Sequence, residues 1–284
     1  MTTKTYYLPS SVDEAVGLLA QHGPSLLVMA GGTIAMPLIN EGISFPDQVM
    51  GLRRAGLGYV RSSNGLASGP VTLGAATTLS TMAMRSAGDV HIPLLQEAAH
   101  HVGGWAIRNM GTVGGNLFAP PPSGDFAVAL LALDARVRLV SARGERVLPL
   151  ASFYTGFLTT ALQPDELLVE IEVPKPAGRT AYLKFGRRQA NTPSVVTVAA
   201  HVVFDGAKVK QAALALNGVG DHPLRSPRAE ASLVGSPLTE EAIARAGALA
   251  AEDCDPATDS IASAWYRRTM VPVIVGRALR QLVS

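Results

Sequence analysis

Cysteine is nearly absent from this 284-residue sequence, in which Cys254 is the single example. An intramolecular disulfide is therefore impossible, and the chain alone cannot supply the several thiolates that hold a zinc ion or an iron–sulfur cluster. Cys254 lies beside Asp253 and Asp255, and neighbouring negative charge raises the pKa of a thiol. A reactive thiolate is not expected at this position.

The sequence also lacks a large net charge, a high content of aromatic residues and long apolar runs. The formal net charge is +2 and aromatic residues make up 5% of the chain, without a basic stripe of the kind that binds nucleic acid. The apolar runs are well short of a membrane span, and the first residues have no apolar signal-peptide core. We therefore expect a cytoplasmic protein with no integral membrane segment and no nucleic-acid partner.

Several motifs that carry chemistry are missing. The sequence contains no Gly-x-Gly-x-x-Gly, no Gly-x-x-x-x-Gly-Lys-Ser/Thr, no His-Glu-x-x-His and no Gly-x-Ser-x-Gly, so the Rossmann, P-loop, zinc-protease and hydrolase mechanisms are not indicated. His100 and His101 are adjacent on a predicted helix, where neighbouring side chains point about 100° apart. Because no third ligand is evident, no metal site is predicted.

Two glycine turns are the main feature that is present. Ala30-Gly31-Gly32-Thr33 follows the apolar run Leu26–Met29, and Gly114-Gly115 lies in a second predicted turn that extends from Arg108 to Asn116. Glycine lets backbone N–H groups approach a ligand closely, and successive N–H groups in one concavity bind a phosphate-like anion. Two such turns can hold one diphosphate from two sides, which predicts a dinucleotide-binding protein outside the Rossmann pattern.

The element pattern changes near a predicted linker, Pro174–Gly178. Before it, strands alternate with helices; the first helix begins with a capping box from Ser11 to Glu14, and Asp125 is predicted to cap a later one. Beyond it, three strands precede three helices, an α+β pattern. These elements are predicted at Tyr182–Arg187, Val195–Phe204, Lys208–Leu216, Pro227–Val234, Glu240–Ala251 and Ser263–Leu282.

The two turns, followed by Asp125 nine residues beyond Asn116, resemble the FAD-binding medium subunit of the molybdenum hydroxylases. This family includes carbon monoxide dehydrogenase, xanthine dehydrogenase and bacterial dehydrogenases of N-heterocycles. The resemblance covers almost the whole chain and its blocks follow the family order. These blocks are Ala30–Thr33, Ile107–Asn109, Gly111–Asn116, Leu131–Ala135, Pro164–Leu168, Ile171–Pro174, Lys184–Phe185, Arg187–Arg188 and Tyr266–Arg268.

The resemblance implies an α+β fold with two domains. Residues 1–176 are expected to form a two-lobed FAD-binding domain of the vanillyl-alcohol-oxidase type, with lobes of about 1–57 and 58–176. Residues 177–284 are expected to form a smaller α+β C-terminal domain that contains a three-stranded sheet with helices.

The resemblance also implies which residues bind the cofactor. The two loops are expected to surround the FAD diphosphate, and the Asp125 carboxylate to contact sugar or ribityl hydroxyls, which suit a carboxylate acceptor. The backbone of Leu168 and Val169 is expected at the adenine, and Lys184 near the flavin, where a cation would stabilise the reduced ring. No catalytic residue and no metal ligand is expected, and Tyr266–Arg268 is expected to form a helix surface. The expected cofactor-binding residues are Ala30, Gly31, Gly32, Thr33, Ile34, Ala35, Thr112, Val113, Gly114, Gly115, Asn116, Asp125, Leu168, Val169 and Lys184.

The implied function is electron transfer within a larger complex. FAD would be bound non-covalently, whereas molybdopterin and [2Fe-2S] clusters would lie on partner subunits only. The expected partners are a small iron–sulfur subunit and a large molybdopterin subunit, arranged as a dimer of heterotrimers. The single cysteine agrees with this division of labour. Two alternatives stay open: a stand-alone flavin-dependent oxidase, and a nucleotide-binding assembly module without a redox role.

The sequence departs from the family pattern near the expected flavin position. Ala106 stands where glutamine is common, and Asn191 and Thr192 stand where an aspartate and an aromatic or small residue often occur. Which residue covers the flavin ring is therefore left open, as are the substrate of the complex and its electron acceptor.

Overall fold

A computed structural model describes residues 3–62, 69–84, 91–175 and 177–283. Its strands are β1 (Thr5–Tyr7), β2 (Leu26–Met29), β3 (Gln48–Gly51), β4 (Val60–Ser62), β5 (Val71–Gly74), β6 (Arg136–Ser141), β7 (Gly144–Pro149), β8 (Tyr154–Gly156), β9 (Thr159–Thr160), β10 (Leu167–Val173), β11 (Arg179–Gly186), β12 (Ser194–Asp205), β13 (Lys208–Asn217) and β14 (Leu224–Arg225). Its α-helices are α1 (Val12–His22), α2 (Ala35–Asn40), α3 (Leu79–Ala83), α4 (Pro93–His101), α5 (Trp105–Met110), α6 (Val113–Asn116), α7 (Asp125–Ala132), α8 (Pro227–Leu233), α9 (Glu240–Glu252) and α10 (Ala264–Arg280).

The first sheet is parallel and has the strand order β1-β3-β2. The connection from β1 to β2 runs through α1, whose predicted N-cap is confirmed because the Glu14 amide donates to Ser11 Oγ over 3.1 Å. The Glu14 carboxylate accepts from the Ser10 amide at 2.7 Å, one residue earlier than in the usual capping box. The glycine turn at residues 30–33 directly follows β2, as predicted.

The second sheet is antiparallel and has the order β4-β5-β10-β6-β7. The alternating segments Arg136–Val140 and Arg146–Leu150 predict a hairpin, and Leu167–Val173 predicts a strand; these are confirmed as β6–β7 and β10. The Gly- and Ser-rich stretch from Gly51 to Gly69 predicts a hairpin or loop. Its middle part contributes β4, which pairs with β5, and residues 63–68 lie outside the described residues.

Helix α7 is buried between this second sheet and the C-terminal sheet. All eight of its residues are buried, which explains its almost uniformly apolar sequence. Strand β12 is buried on both faces, as continuous apolar strands usually are. Ala199, with its cross-strand neighbours Tyr182 and Ala215, packs in the core that contains α7, whereas Val198 and Ala200 pack in the core that contains α9 and α10. The first residue of α7 is thereby held where the two parts of the chain meet.

The C-terminal sheet has the order β11-β12-β13-β14. The three predicted strands and the three predicted helices are confirmed. The structure adds β14, which pairs with β13 through Leu224 and Arg225. A strand of two residues is too short to produce a periodic sequence signal, so only its tertiary pairing reveals it.

Two local predictions were wrong. The stretch from Arg108 to Asn116 is not an open turn but contains the end of α5 and all of α6. Thr112 caps α6 by accepting from the Gly115 amide. Asp125 is not an N-cap: Gly124 occupies that position with a φ of +85°, and Asp125 is the first residue of the helix. Its side chain is thus available for other partners.

A third prediction, that Tyr266–Arg268 forms a helix surface, fails at its middle residue. Arg267 is 1% exposed, because the inward face of α10 turns its guanidinium towards the ends of β12 and β13. Cys254 is also buried, and burial together with Asp253 raises its pKa to about 12, in the expected direction. Within the described residues, no helix combines the length and apolarity needed to cross a membrane.

The burial of α7 makes a prediction about stability. Replacing Phe126, which is fully buried, with alanine is expected to lower the free energy of unfolding by about 3–5 kcal/mol. Phe157→Ala makes the same change at a side chain that is 62% exposed. It should alter the free energy of unfolding by no more than about 0.5 kcal/mol. Urea unfolding of the two variants measures the difference, and equal losses would contradict the packing described for α7.

Candidate functional site

Thirteen of the fifteen predicted site residues line one cavity of about 730 Å³. Both glycine turns line it, and so do residues from the second sheet and from the C-terminal sheet. Its volume lies in the range of about 300–1,000 Å³ that is usual for cofactor and ligand pockets. The predicted residues that line it are Ala30, Gly31, Gly32, Thr33, Ile34, Ala35, Thr112, Gly114, Gly115, Asn116, Asp125, Leu168 and Lys184. Val113 and Val169 are not among the lining residues.

The two glycine turns are in direct contact. A Cβ atom added to Gly31 would lie 1.7 Å from the carbonyl oxygen of Met110, so only glycine permits this approach. Gly32 has a φ of +72°, a conformation that L side chains rarely adopt. These two glycines therefore fix the separation of the turns as well as the path of the first turn.

The first turn offers backbone donors to the cavity. Within the described part of the chain, none of the N–H groups from Gly31 to Ala35 donates a hydrogen bond to another residue of the protein. Such a run of unpaired amides around a concavity is a suitable site for a diphosphate or a similar anion. This agrees with the role expected for residues 30–35.

The second turn uses its amides differently. The Val113 amide donates to Thr77 O at 2.9 Å and the Gly114 amide to Ala75 O at 2.9 Å, while the Gly115 amide is bonded to Thr112 Oγ1 at 3.0 Å. A Cβ atom on Gly114 would lie 2.7 Å from Ala75 O. The first two bonds anchor the turn on the segment that directly follows β5, so the turn supplies a close wall to the cavity rather than a row of amide donors.

Asn116 links the second turn to α7. Its Oδ1 atom accepts from the Phe126 amide at 3.1 Å and from the Ala127 amide at 3.3 Å. The side chain thereby gives the Phe126 amide a partner at the start of α7, and it shares the Ala127 amide with Gly124 O, to which that amide donates at 3.1 Å. Because Oδ1 already accepts these two bonds, the NH₂ group is the part of the Asn116 side chain that can donate a hydrogen bond to a ligand.

Asp125 and Lys184 form a buried ion pair at the cavity. Lys184 Nζ lies 2.7 Å from Asp125 Oδ2, and each side chain is 6% exposed. The ammonium also donates to His101 O at 3.0 Å. Pairing offsets the cost of removing two charges from water, and breaking such a pair is strongly destabilising.

The other oxygen of Asp125 is also occupied. Asp125 Oδ1 accepts from Ser194 Oγ at 2.6 Å and from Thr197 Oγ1 at 3.0 Å. The Tyr182 hydroxyl donates to the Asp125 carbonyl at 3.2 Å; burial raises its pKa well above the usual value, and the charge of Asp125 adds to the effect. No local sequence pattern indicates Ser194, Thr197 or Tyr182 as site residues, because their proximity to Asp125 depends entirely on docking of the C-terminal sheet.

Leu168 and Val169 are neighbours on β10, but their side chains contact different parts of the molecule. Leu168 lines the cavity, whereas Val169 packs in the core that contains α1, and its carbonyl accepts from the Ala75 amide at 2.9 Å. Glu166 lines the cavity too, and a paired hydrogen bond from Arg146, at 2.7 and 2.8 Å, lowers the pKa of its carboxyl. Glu166 is a site residue that the sequence reasoning missed.

Asn191 and Thr192, at which the sequence departs from the family pattern, also line the cavity. Asn191 has a φ of +47°, which asparagine tolerates better than most residues. The remaining walls are mainly apolar. They include Met29, Leu38, Leu79, Val102, Ile107 and Phe118. Within the described residues, His, Cys, Asp and Glu side chains form no group of three that could hold a metal ion.

Comparisons with known proteins match two successive parts of the chain. A family model described as the FAD binding domain in molybdopterin dehydrogenase matches residues 2–176, and one described as the CO dehydrogenase flavoprotein C-terminal domain matches residues 181–282. The chain belongs to this family of flavoprotein subunits. The resemblance inferred from the sequence is therefore confirmed, together with the fold class.

Individual relatives match over nearly their full length. The glyceraldehyde dehydrogenase medium chain of Sulfolobus acidocaldarius is 30% identical, and the match covers 98% of each chain. The carbon monoxide dehydrogenase medium chain of Hydrogenophaga pseudoflava is 32% identical over 96% of this chain and 95% of the relative. A solved structure of carbon monoxide dehydrogenase from the same organism, which lacks the Mo-pyranopterin moiety of its molybdenum cofactor, matches with a TM-score of 0.93 at 30% identity, over 99% of this chain and 98% of the other.

The contact between the glycine turns predicts the effect of a single methyl group. In this flavoprotein subunit, Gly31→Ala is expected to weaken FAD binding about tenfold or more, a loss of at least about 1.4 kcal/mol, because the Met110 carbonyl must move. Gly17→Ala is the matched control, since a Cβ atom there meets nothing within 4 Å. Fluorescence titration of the apoprotein with FAD measures both, and an unchanged affinity in Gly31→Ala would contradict the proposed position of the cofactor.

The buried ion pair predicts that substitution of two different lysines affects stability to different extents. Lys184→Met is expected to lower the free energy of unfolding by about 3–5 kcal/mol, because Asp125 would remain buried without its counter-charge. Lys4→Met removes a lysine whose side chain is 73% exposed and which pairs with Asp47; such a surface pair contributes about 0–1 kcal/mol. Urea unfolding distinguishes them, and similar losses would mean that the Asp125–Lys184 pair is effectively solvated.

Proposed function

We propose that this chain is the FAD-carrying electron-transfer subunit of a molybdenum-containing hydroxylase or dehydrogenase. One observation carries the proposal: both glycine turns and the Asp125–Lys184 pair line the same cavity of about 730 Å³. Family membership indicates the general class of protein, and the cavity is the place in this chain where FAD would bind.

The residues of the cavity fit FAD. The unpaired amides of residues 31–35 suit the diphosphate, and Gly31 and Gly114 let the two turns pack closely against Met110 and Ala75. Apolar residues such as Met29 and Phe118 suit the flat rings of the cofactor. The bound FAD would supply the redox chemistry, while the protein binds the cofactor, orients its ring and shields it from water.

The individual site residues are part of the proposal. We assign the diphosphate to residues 30–35 and 112–116 and the neighbourhood of the flavin to Lys184. Because both oxygens of Asp125 already accept hydrogen bonds from the protein, any bond from a cofactor hydroxyl would be shared with those partners. We assign the adenine end to the region of Leu168 and Val169, where Leu168 supplies a cavity wall.

The partners are proposed from the chemistry that this chain lacks. A single cysteine cannot hold an iron–sulfur cluster, so electrons would reach the FAD from [2Fe-2S] clusters on a small partner subunit. Substrate oxidation would occur at molybdopterin on a large partner subunit, and the complex would be a dimer of heterotrimers. Relatives named as medium chains, such as that of carbon monoxide dehydrogenase, support a role as one of several subunits.

The division of the chain and its location complete the proposal. We propose a FAD-binding domain over residues 1–176, with lobes of about 1–57 and 58–176, and a C-terminal domain over residues 177–284. The separate parallel and antiparallel sheets support the two lobes, and the ends of the two matched family models support the boundary. A cytoplasmic location is proposed as well, in agreement with a chain that forms no internal disulfide.

The proposal predicts the behaviour of the purified chain. It should bind one equivalent of FAD, show flavin absorption bands, and release the FAD into the supernatant on acid precipitation, because no covalent bond is expected. Dithionite should reduce the bound flavin, whereas purines, aldehydes or N-heterocycles should not do so in the absence of partner subunits. Absorbance spectra under anaerobic conditions measure each step.

Two results would favour the alternatives. Reduction of the isolated chain by an organic substrate would indicate a stand-alone flavin oxidase. Absence of flavin bands after incubation with FAD and removal of the excess would indicate a nucleotide-binding or assembly module without a redox role. Family membership favours neither alternative, and co-purification with a cysteine-rich subunit and a molybdopterin subunit would support the proposed complex.

A further inference from the structure

Arg267 is a buried arginine that does not line the cavity. It lies on α10, is 1% exposed, and directs its guanidinium towards the ends of β12 and β13. Its NH1 atom donates to three carbonyl oxygens: Ser194 O at 3.1 Å, Val195 O at 2.6 Å and Gly218 O at 2.8 Å. One nitrogen thus connects the start of β12 with the residue that follows β13.

Those two segments are the ones that hold the beginning of α7. Ser194 donates through its hydroxyl to Asp125 Oδ1 at 2.6 Å. Asn217, the residue before Gly218, donates through Nδ2 to Pro122 O at 3.0 Å and to Ser123 O at 2.8 Å. Arg267 therefore holds the backbone beside two of the side chains that contact the stretch from Pro122 to Asp125, namely Ser194 and Asn217.

The packing around the guanidinium leaves little freedom. Gly218 has a φ of +78°, and a Cβ atom there would lie 2.8 Å from Arg267 NH1 and 2.7 Å from Val195 O. Arg267 NH2 makes a paired contact with the Asp259 carboxylate at 3.0 and 2.8 Å. Burial alone would raise the pKa of Asp259, but hydrogen bonds from the Ala262 amide, from Arg267 and from the Ile261 amide outweigh it and lower that pKa. The carboxylate is thus a stable counter-charge for the guanidinium.

We propose that Arg267, held by Asp259, is a positioning residue for the Asp125–Lys184 pair at the cofactor cavity and acts on it through Ser194. The inference rests on the proposed function, because it assigns the cavity to FAD. Its physical basis is that the Asp125 carboxylate is oriented by Lys184 on one oxygen and by the two hydroxyls on the other. Loosening the start of β12 moves Ser194, and with it the direction in which Lys184 is held.

Arg225 provides a matched control. It also connects the C-terminal part of the chain with α7, since its NH1 atom donates to Leu131 O at 3.1 Å and pairs with Asp134. These contacts lie at the far end of α7 and do not involve Asp125. Substitution of either arginine should therefore loosen the contact between the two parts of the chain, whereas only substitution of Arg267 should affect Asp125.

The first test measures FAD affinity in Arg267→Lys, Ser194→Ala, the double variant and Arg225→Lys. Lysine keeps the charge but cannot reproduce the fixed fork of five donors. Arg267→Lys and Ser194→Ala are each expected to raise the Kd for FAD about tenfold and to shift the midpoint potential of the bound flavin in the same direction. The double variant should be no more than about threefold weaker than either single variant, because both changes act on one path.

Arg225→Lys should change the Kd for FAD by less than about threefold and leave the potential unaltered. An equal effect of the two arginine variants would show that Arg267 contributes only general stability. Multiplicative effects in the double variant would show that Arg267 does not act through Ser194. Either result overturns the proposal.

A second test does not depend on FAD. Hydrogen exchange in the apoprotein should become faster for the amides of residues 123–127 in Arg267→Lys, and for those of residues 130–134 in Arg225→Lys. Unchanged exchange at residues 123–127 in Arg267→Lys would overturn the positioning role. If exchange changes as expected but the wild-type chain binds no FAD, the proposed function fails and the structural role of Arg267 stands.

Discussion

The structure depends above all on the buried contact between Asp125 and Lys184. The carboxylate belongs to the first residue of a helix that is buried along its whole length, and the ammonium belongs to a strand of the C-terminal sheet. Neither charge would be tolerated alone in this position, because removing an ion from water costs several kcal/mol. The FAD-binding part and the C-terminal part must therefore dock together before the cavity acquires its final electrostatic character.

This dependence gives the C-terminal domain a role at the proposed cofactor site. Its strands do more than cover α7: Lys184, Asn191 and Thr192 reach the cavity itself, and Ser194 and Thr197 fix the carboxylate that faces it. A flavoprotein subunit that must pass electrons between chains needs a cofactor held in one orientation. The polar contacts around Asp125 provide that constraint at the junction of the two domains.

The glycine turns show how one residue type serves two purposes. Gly31 is required because the carbonyl of Met110 occupies the space of a side chain, and Gly114 because Ala75 does the same. These contacts hold the walls of the cavity at a fixed separation. The amides of residues 31–35 remain free for a ligand, whereas those of residues 113–115 are used to anchor the second turn. The two turns look alike in the sequence but contribute differently to the site.

The sequence by itself determined the family, the order of most strands and helices, and the residues that line the cavity from the two glycine turns. These features depend on local patterns: apolar periodicity, capping residues, and glycines that follow a strand. Only the tertiary structure decided that Asp125 is not a helix cap, that Arg267 is buried, and that Ser194, Asn217 and Glu166 belong to the site or its support. Their partners lie far away in the chain, so no local pattern distinguishes a buried arginine or serine that is fully hydrogen-bonded from one on the surface.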